Sequence, residues 1–104
     1  MKVLLYNLKN AIIGIIDSLN KLDDISIHFA VSENDVFSIS KKIKPDIILI
    51  GNNKKIIPKL LAHNPDIQLF QVGDESGKYN NDIELMHPVS GKHISLNKLI
   101  GVKR

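Results

Sequence analysis

The chain contains no cysteine and few aromatic residues. Among its 104 residues there is no cysteine or tryptophan, and aromatic residues make up only 5%. The lack of cysteine excludes disulfides, thiolate nucleophiles and cysteine metal sites, and it suits the cytoplasmic location that we expect. The scarcity of aromatics leaves isoleucine and other aliphatic side chains to fill the core.

Long hydrophobic runs are also missing from the sequence. The longest apolar run near the start, residues 11–16, holds six residues. A membrane-spanning helix needs about 20 consecutive apolar residues, and this run also lacks the layout of a signal peptide. We therefore expect no association with a membrane.

Basic residues exceed acidic residues only modestly. The chain has 14 lysines and arginines against 11 aspartates and glutamates, a formal net charge of +3. Nearly all the basic residues are lysines in short, separate groups, which are typical of a solvated surface. Nucleic-acid surfaces more often carry arginine and stacking aromatics. We therefore expect DNA contact only through a further domain beyond residue 104.

The apolar periodicity predicts strands that alternate with helices. Asn10 and Ser32 are predicted to cap the first two helices, with Asp35 standing where a capping box has glutamate. Pro45 ends the second helix, and the almost wholly apolar run that follows is typical of a strand covered on both faces. The predicted strands are 2–6, 25–31, 46–50, 67–72 and 83–86, and three of the predicted helices are 11–22, 54–63 and 94–100.

This alternation predicts one α/β domain over residues 1–104. Right-handed crossovers favour a flavodoxin-like (CheY-like) three-layer sandwich, with a five-stranded parallel sheet in the order 2-1-3-4-5. The 104 residues are either a whole small protein or the N-terminal part of a longer one, and the sequence leaves both alternatives open.

Ligands of such folds bind at the carboxyl ends of the strands. Those ends are followed by Asn7, Gly51, Gly73 and His87. None of them carries a GxGxxG turn or a P-loop, so no nucleotide cofactor is expected, and no histidine pair has metal-ligand spacing. His87 offers acid–base or hydrogen-bonding chemistry, but it lacks a catalytic partner at a fixed spacing. A structural or interface role is the better interpretation.

Four segments resemble the receiver domain of bacterial two-component response regulators, and together they span nearly the whole chain. They are MKVLLYN (1–7), KPDIILIG (44–51), NPDIQLFQVG (64–73) and IELMHPVS (83–90). In that family two acids that hold Mg²⁺ follow the first strand, and the third strand ends in the phospho-accepting aspartate. The fourth strand ends in serine or threonine, and the fifth ends in Lys-Pro.

The resemblance implies that the frame is kept and the phosphorylation chemistry is lost. The acidic pair falls at Asn7 and Leu8, the phospho-acceptor at Gly51, the hydroxyl residue at about Gly73, and the lysine at His87. Phosphoryl transfer needs a carboxylate nucleophile and a cation, and glycine has no side chain.

Two structural details follow from the same resemblance. Pro88 is retained, and because the corresponding bond is often cis in receivers, the His87–Pro88 bond is expected to be cis. Only about eight residues separate Gly73 from Asp82, so the fourth helix of the family is expected to be reduced or missing.

We therefore expect a degenerate receiver-like domain, which is not an enzyme and binds no cofactor or metal. It would act as a phosphorylation-independent protein-interaction or dimerisation module in signal transduction or transcriptional regulation, with another protein or a second copy as partner. One alternative is the regulatory half of a DNA-binding transcription factor. Another is a small flavodoxin-like ligand-binding protein or enzyme that uses the His87 and Asn7 loops. The candidate contact residues are Asn7, Gly51, Asn52, Gly73, His87 and Pro88.

Overall fold

The computed structural model describes residues 1–8, 11–51, 55–63, 66–72 and 83–100. Predictions that concern Asn52 and Gly73, and the reduced fourth helix expected between residues 73 and 82, lie outside these residues.

Six strands and four helices form within the described ranges. No helix among these residues is long and apolar enough to cross a membrane. The strands are β1 (Lys2–Tyr6), β2 (Ser26–Ala30), β3 (Ile47–Ile50), β4 (Gln68–Val72), β5 (Glu84–Met86) and β6 (His93–Ser95), and the helices are α1 (Ile12–Asn20), α2 (Glu33–Ile43), α3 (Ile56–His63) and α4 (Leu96–Leu99).

One mixed sheet joins the six strands in the order β2-β1-β3-β4-β5-β6. Strands β1 to β4 are parallel to one another, whereas β5 runs antiparallel to β4, and β6 runs antiparallel to β5. The first five strands lie in the predicted order 2-1-3-4-5, and β6 extends it. The predicted five-stranded, all-parallel sheet is therefore wrong in strand number and in the direction of β5. A parallel connection needs a dozen or more residues, usually a helix. The chain has only eleven residues between Val72 and Glu84, which suits an antiparallel return.

The end of the chain differs from the prediction in a second way. The first residues of the predicted helix over 94–100 belong to β6, where Ile94 pairs with Leu85. Helix α4 is only four residues long, and Ser95 caps it by accepting a hydrogen bond from the Lys98 N–H at 3.1 Å. The spacing of the apolar residues in this segment fits a single helix as well as a short strand followed by a helix, so it did not predict β6.

Helices cover both faces of the sheet, which confirms an α/β arrangement. Strand β3 is buried throughout and feeds both cores, Ile47 and Leu49 into one and Ile48 and Ile50 into the other. The core on the α1 side also contains Ala11, Ile15, Leu19, Leu96 and Ile100, from α1 and α4 and their flanking residues. The core on the opposite face contains Val36, Ile56, Ile57 and Leu60, from α2 and α3.

The helix starts follow local hydrogen bonding. Ser32 caps α2 as predicted, because its Oγ accepts a hydrogen bond from the Asp35 N–H at 3.2 Å. The Asp35 carboxylate reaches back and accepts from the Val31 N–H, also at 3.2 Å. Helix α1 has Ala11 at its N-cap position, without a side-chain hydrogen bond. The cap predicted at Asn10 lies outside the described residues.

Asp46 ties the start of β3 to the start of β1. Its carboxylate accepts from the Lys2 N–H at 2.7 Å, and its own N–H donates to the Lys2 carbonyl at 2.8 Å. The Lys2 ammonium also donates to the Ile43 carbonyl at the end of α2, at 3.2 Å. The aspartate of the KPD segment therefore has a structural role at the amino end of the sheet.

We predict that Ser32→Ala lowers the free energy of unfolding by about 1 kcal/mol, because the Asp35 N–H loses its acceptor at the helix start. The matched control is Ser38→Ala, which removes an exposed hydroxyl from the middle of the same helix. It should change stability by less than about 0.5 kcal/mol. Urea unfolding of both variants checks the difference, and equal effects would contradict the capping role.

Candidate functional site

Asn7 and Gly51 meet at the carboxyl ends of β1 and β3. The Gly51 N–H donates to the Tyr6 carbonyl at 3.0 Å. Asn7 has left-handed backbone geometry, with φ at 57°, and this turns the chain across Gly51 as it leaves β1. The structure therefore brings two of the predicted site residues together, in backbone contact.

Gly51 is explained by the closeness of this crossing. A Cβ placed on Gly51 would lie 1.8 Å from the Asn7 carbonyl oxygen and 2.8 Å from its carbonyl carbon. Any residue other than glycine would force the two backbones apart, and glycine is the residue that permits such an approach. The space where a phospho-accepting side chain would begin is occupied by the Asn7 backbone.

Leu8 lies in the protein core. It is only 3% exposed and belongs to the core on the α1 side. Its carbonyl accepts a hydrogen bond from the Ala11 N–H at 3.1 Å, which starts the turn into α1. Where the receiver pattern has a metal-binding acid, this chain has an apolar side chain that contributes to folding. In the part of the chain that the structure describes, no three histidine, aspartate or glutamate side chains gather as metal ligands would.

His87 does not join Asn7 and Gly51. Because β5 is antiparallel, Met86 pairs with Gln71 and the next residue, His87, lies beside Phe70. Neighbouring strands are about 4.8 Å apart, so β5 is roughly 10 Å from β3 and roughly 14 Å from β1. The predicted site residues therefore fall into two separate places on the sheet.

The His87 side chain organises the turn between β5 and β6. Its Nδ1 accepts hydrogen bonds from the Val89 and Ser90 N–H groups, both at 3.2 Å. Backbone N–H groups can only donate, so Nδ1 carries no proton here and the ring proton is on Nε2. The ring also packs edge-on against Phe70, with ring centroids 5.9 Å apart.

Backbone hydrogen bonds close the same turn. The His87 N–H donates to the Lys92 carbonyl at 2.8 Å, and its carbonyl accepts from the Gly91 N–H at 2.9 Å. The His87–Pro88 bond is trans, so the predicted cis bond is wrong. Pro88 opens the turn, where its fixed φ suits the second position.

Some contributing residues could not be found from the sequence. Phe70 reads as an ordinary strand residue, yet it supports the ring of His87. The Glu84 carboxylate lies 3.0 Å from the His93 Nδ1 across the β5–β6 hairpin, with both side chains largely exposed. Neither contact has a sequence signal, because both depend on the reversed direction of β5 and on the presence of β6.

Comparisons with protein-family models, with curated proteins and with solved structures each found no match. The resemblance to receiver domains therefore rests on the residues of this chain alone and stays a prediction.

We predict that Gly51→Ala lowers the free energy of unfolding by more than about 3 kcal/mol, at the upper end of single-substitution effects, because the new methyl group collides with the Asn7 carbonyl. The matched control is Gly14→Ala in α1. There the added Cβ would meet only the flexible tip of Ile83, at 3.0 Å, and alanine favours a helix. Chemical denaturation should show a large loss for the first variant and little change for the second. Similar stabilities would contradict the close crossing.

We predict that nitrogen chemical shifts of neutral His87 report the Nε2–H tautomer.

His87→Phe should keep a ring against Phe70 but lose the Nδ1 acceptor, at a cost of about 1 kcal/mol. Amide exchange at Val89 and Ser90 should become faster. His93→Phe is the control, because it removes an exposed contact with Glu84 and should cost less than about 0.5 kcal/mol. Unchanged exchange in the His87→Phe variant would refute the turn-organising role.

Proposed function

We propose that this chain is a phosphorylation-independent, receiver-like protein-interaction module that acts in cytoplasmic signal transduction or transcriptional regulation. The proposal is carried by the crossing of Asn7 over Gly51. At the position that corresponds to the phospho-acceptor, a Cβ would stand 1.8 Å from a backbone oxygen. A carboxylate cannot occupy that position without moving the loop after β1.

The neighbouring positions support the same interpretation. A receiver needs acids after the first strand to hold a cation against the phosphoryl group. Here Asn7 contributes a left-handed turn and Leu8 is buried in the core. Since this strand end provides backbone packing in place of charge, we assign regulation by this domain to binding of another protein chain.

The position of His87 favours binding over catalysis. An enzyme or ligand site built from the His87 and Asn7 loops would need them close together, yet three strand spacings, roughly 14 Å, separate β5 from β1. The Nδ1 of His87 is also occupied by two backbone N–H groups. We also propose that no residue of this chain contacts DNA.

The reversed β5 limits what is transferred from the receiver family. In receivers the fourth helix, fifth strand and fifth helix form the usual output and dimer surface. Here β5 is antiparallel and is followed by β6. We therefore propose an interaction module that does not use that surface.

The first test is nuclear magnetic resonance of the labelled chain with Mg²⁺ and beryllofluoride, which mimics a phosphoryl group. We expect the amide signals of Tyr6, Asn7 and Gly51 to stay unchanged, because neither Asn7, Leu8 nor Gly51 offers a carboxylate to the mimic. A phosphorylatable receiver domain in the same buffer is the control. Saturable shifts at Asn7 and Gly51 would contradict the proposal.

The positive arm measures binding directly. Proteins captured from the source organism on the immobilised chain are purified and titrated against it by calorimetry, with and without a phosphodonor. We expect at least one stoichiometric complex whose affinity does not depend on the phosphodonor. A small molecule that saturably raises the melting temperature, without any such protein complex, would favour the ligand-binding alternative.

A further inference from the structure

Strand β2 is an edge of the sheet with backbone groups turned outward. The Ser26 N–H donates to the Met1 carbonyl at 2.9 Å, so Ser26 and alternate residues after it bond to β1. In a parallel ladder the residues between them turn their N–H and C=O groups the other way, which leaves those of Ile27 and Phe29 on the free side. The Val31 N–H is already bonded to the Asp35 carboxylate.

This edge lacks the features that keep sheet edges apart. Protective edges carry lysine, proline, a bulge or very short strands. Strand β2 reads SIHFA and pairs with β1 over five consecutive residues without interruption. The opposite edge, β6, has only three residues, carries the exposed His93 beside Glu84 of β5, and leads directly into α4. Of the two edges, β2 is the one suited to pairing with another strand.

One face of β2 carries more apolar side chains than the core covers. Ile25 and Ile27 pack against the core on the α1 side. Phe29 pairs with Leu5 on the same face but remains 49% exposed, and Val31, just after the strand, is 87% exposed. A second strand beside β2 would cover these two side chains.

Helix α1 extends this apolar face toward the β2 edge. Gly14 faces Ile83, on the side of α1 toward β5. Ile12 and Ile16 lie roughly 160° around the helix from Gly14, which turns them toward β2, and both are half-buried.

We propose that β2 pairs antiparallel with β2 of a second copy of this chain, about a two-fold axis that passes through His28. The proposal deepens the proposed function by naming one partner, and it rests on that function. The pairing would place Ile27 opposite Phe29 of the partner subunit, and Ile25 opposite Val31 of the partner subunit. Aliphatic and aromatic side chains opposite one another are favourable cross-strand pairs.

The backbone selects this register. With the axis at His28, the outward N–H and C=O groups of Ile27 bond to those of Phe29 of the partner subunit, and the symmetric pair does the same. An axis at Ile27 would leave Val31 uncovered. With the axis at His28, the Val31 N–H, which Asp35 already holds, is needed only in the outermost pair. An axis at Phe29 would need that N–H in the pair next to the axis, between Ile27 and Val31 of the partner subunit. A shift of the strand pairing by one residue would place the apolar side chains of the two copies on opposite faces of the joined sheet.

The size of the contact sets its strength. Standard interfaces bury about 600 Å² or more per partner, roughly a tenth of the 6653 Å² accessible surface of this chain. A five-residue strand edge is about 17 Å long, which is short for an interface of that size. We therefore expect a weak dimer, with a dissociation constant in the range of about 1–100 μM.

The first experiment is sedimentation velocity of the full chain over a hundredfold range of concentration. We expect reversible monomer–dimer exchange that Val31→Lys weakens about tenfold or more, because each dimer would then hold two lysines against Ile25. Val89→Lys is the matched control, since Val89 is also an exposed valine, at 73%, but lies in the β5–β6 turn. It should leave dimerisation unchanged, and both variants should keep the stability of the parent chain.

The second experiment tests the register with single thiols, because the chain has no cysteine of its own. At a two-fold axis the paired His28 Cα atoms would be about 4.5 Å apart, within disulfide range, so His28→Cys should form a covalent dimer on mild oxidation. The control is Ser26→Cys. Two copies of that residue would be four residues apart along the strands, roughly 13 Å, and should not cross-link.

Three outcomes would overturn the proposal. These are a monomer at all concentrations, equal dimerisation of the Val31→Lys and Val89→Lys variants, or faster cross-linking of Ser26→Cys than of His28→Cys. None of these outcomes changes the results expected from the beryllofluoride and calorimetry tests. A chain that binds a different protein without self-pairing would lose this inference and keep the proposed function.

Discussion

The crossing of the Asn7 backbone over Gly51 is the constraint on which this structure depends. It holds together the carboxyl ends of the two central strands β1 and β3, through the hydrogen bond from Gly51 to Tyr6. The same turn directs Leu8 into the core, and the Leu8 carbonyl then starts the turn into α1. The lack of a Cβ on Gly51 permits this crossing, and for the same reason no side chain projects from Gly51 at the end of β3.

The direction of β5 has the second largest effect. Its connection from β4 is shorter than the roughly dozen residues usual for a parallel crossover, and the reversal carries His87 away from the strand ends where Asn7 and Gly51 lie. In its new position the His87 ring packs against Phe70 of β4 and accepts hydrogen bonds from two backbone N–H groups of the β5–β6 turn. Asn7 and Gly51 on one side, and His87 on the other, thus have separate structural roles.

Because of these two features, the proposed function depends on the surface of the protein and not on a pocket at the strand ends. A strand end filled by backbone has little to offer a phosphoryl group or a metal ion. The β2 edge instead exposes hydrogen-bonding groups beside Phe29 and Val31, on a strand without protective charges. This arrangement is the basis for the proposals that the chain binds protein and that it pairs with a second copy of itself.

The sequence by itself determined the features whose causes are local. Apolar periodicity identified β1, β3 and α2, the Ser32 cap followed from residue type and spacing, and the wholly apolar run at β3 indicated burial on both faces. The tertiary structure alone decided the direction of β5, the presence of β6, and the trans bond before Pro88. It also decided the meaning of Gly51, which the sequence presented as a lost side chain and the fold explains as a contact with Asn7. The reason is physical: these features depend on atoms that are far apart along the chain, and only packing brings them together.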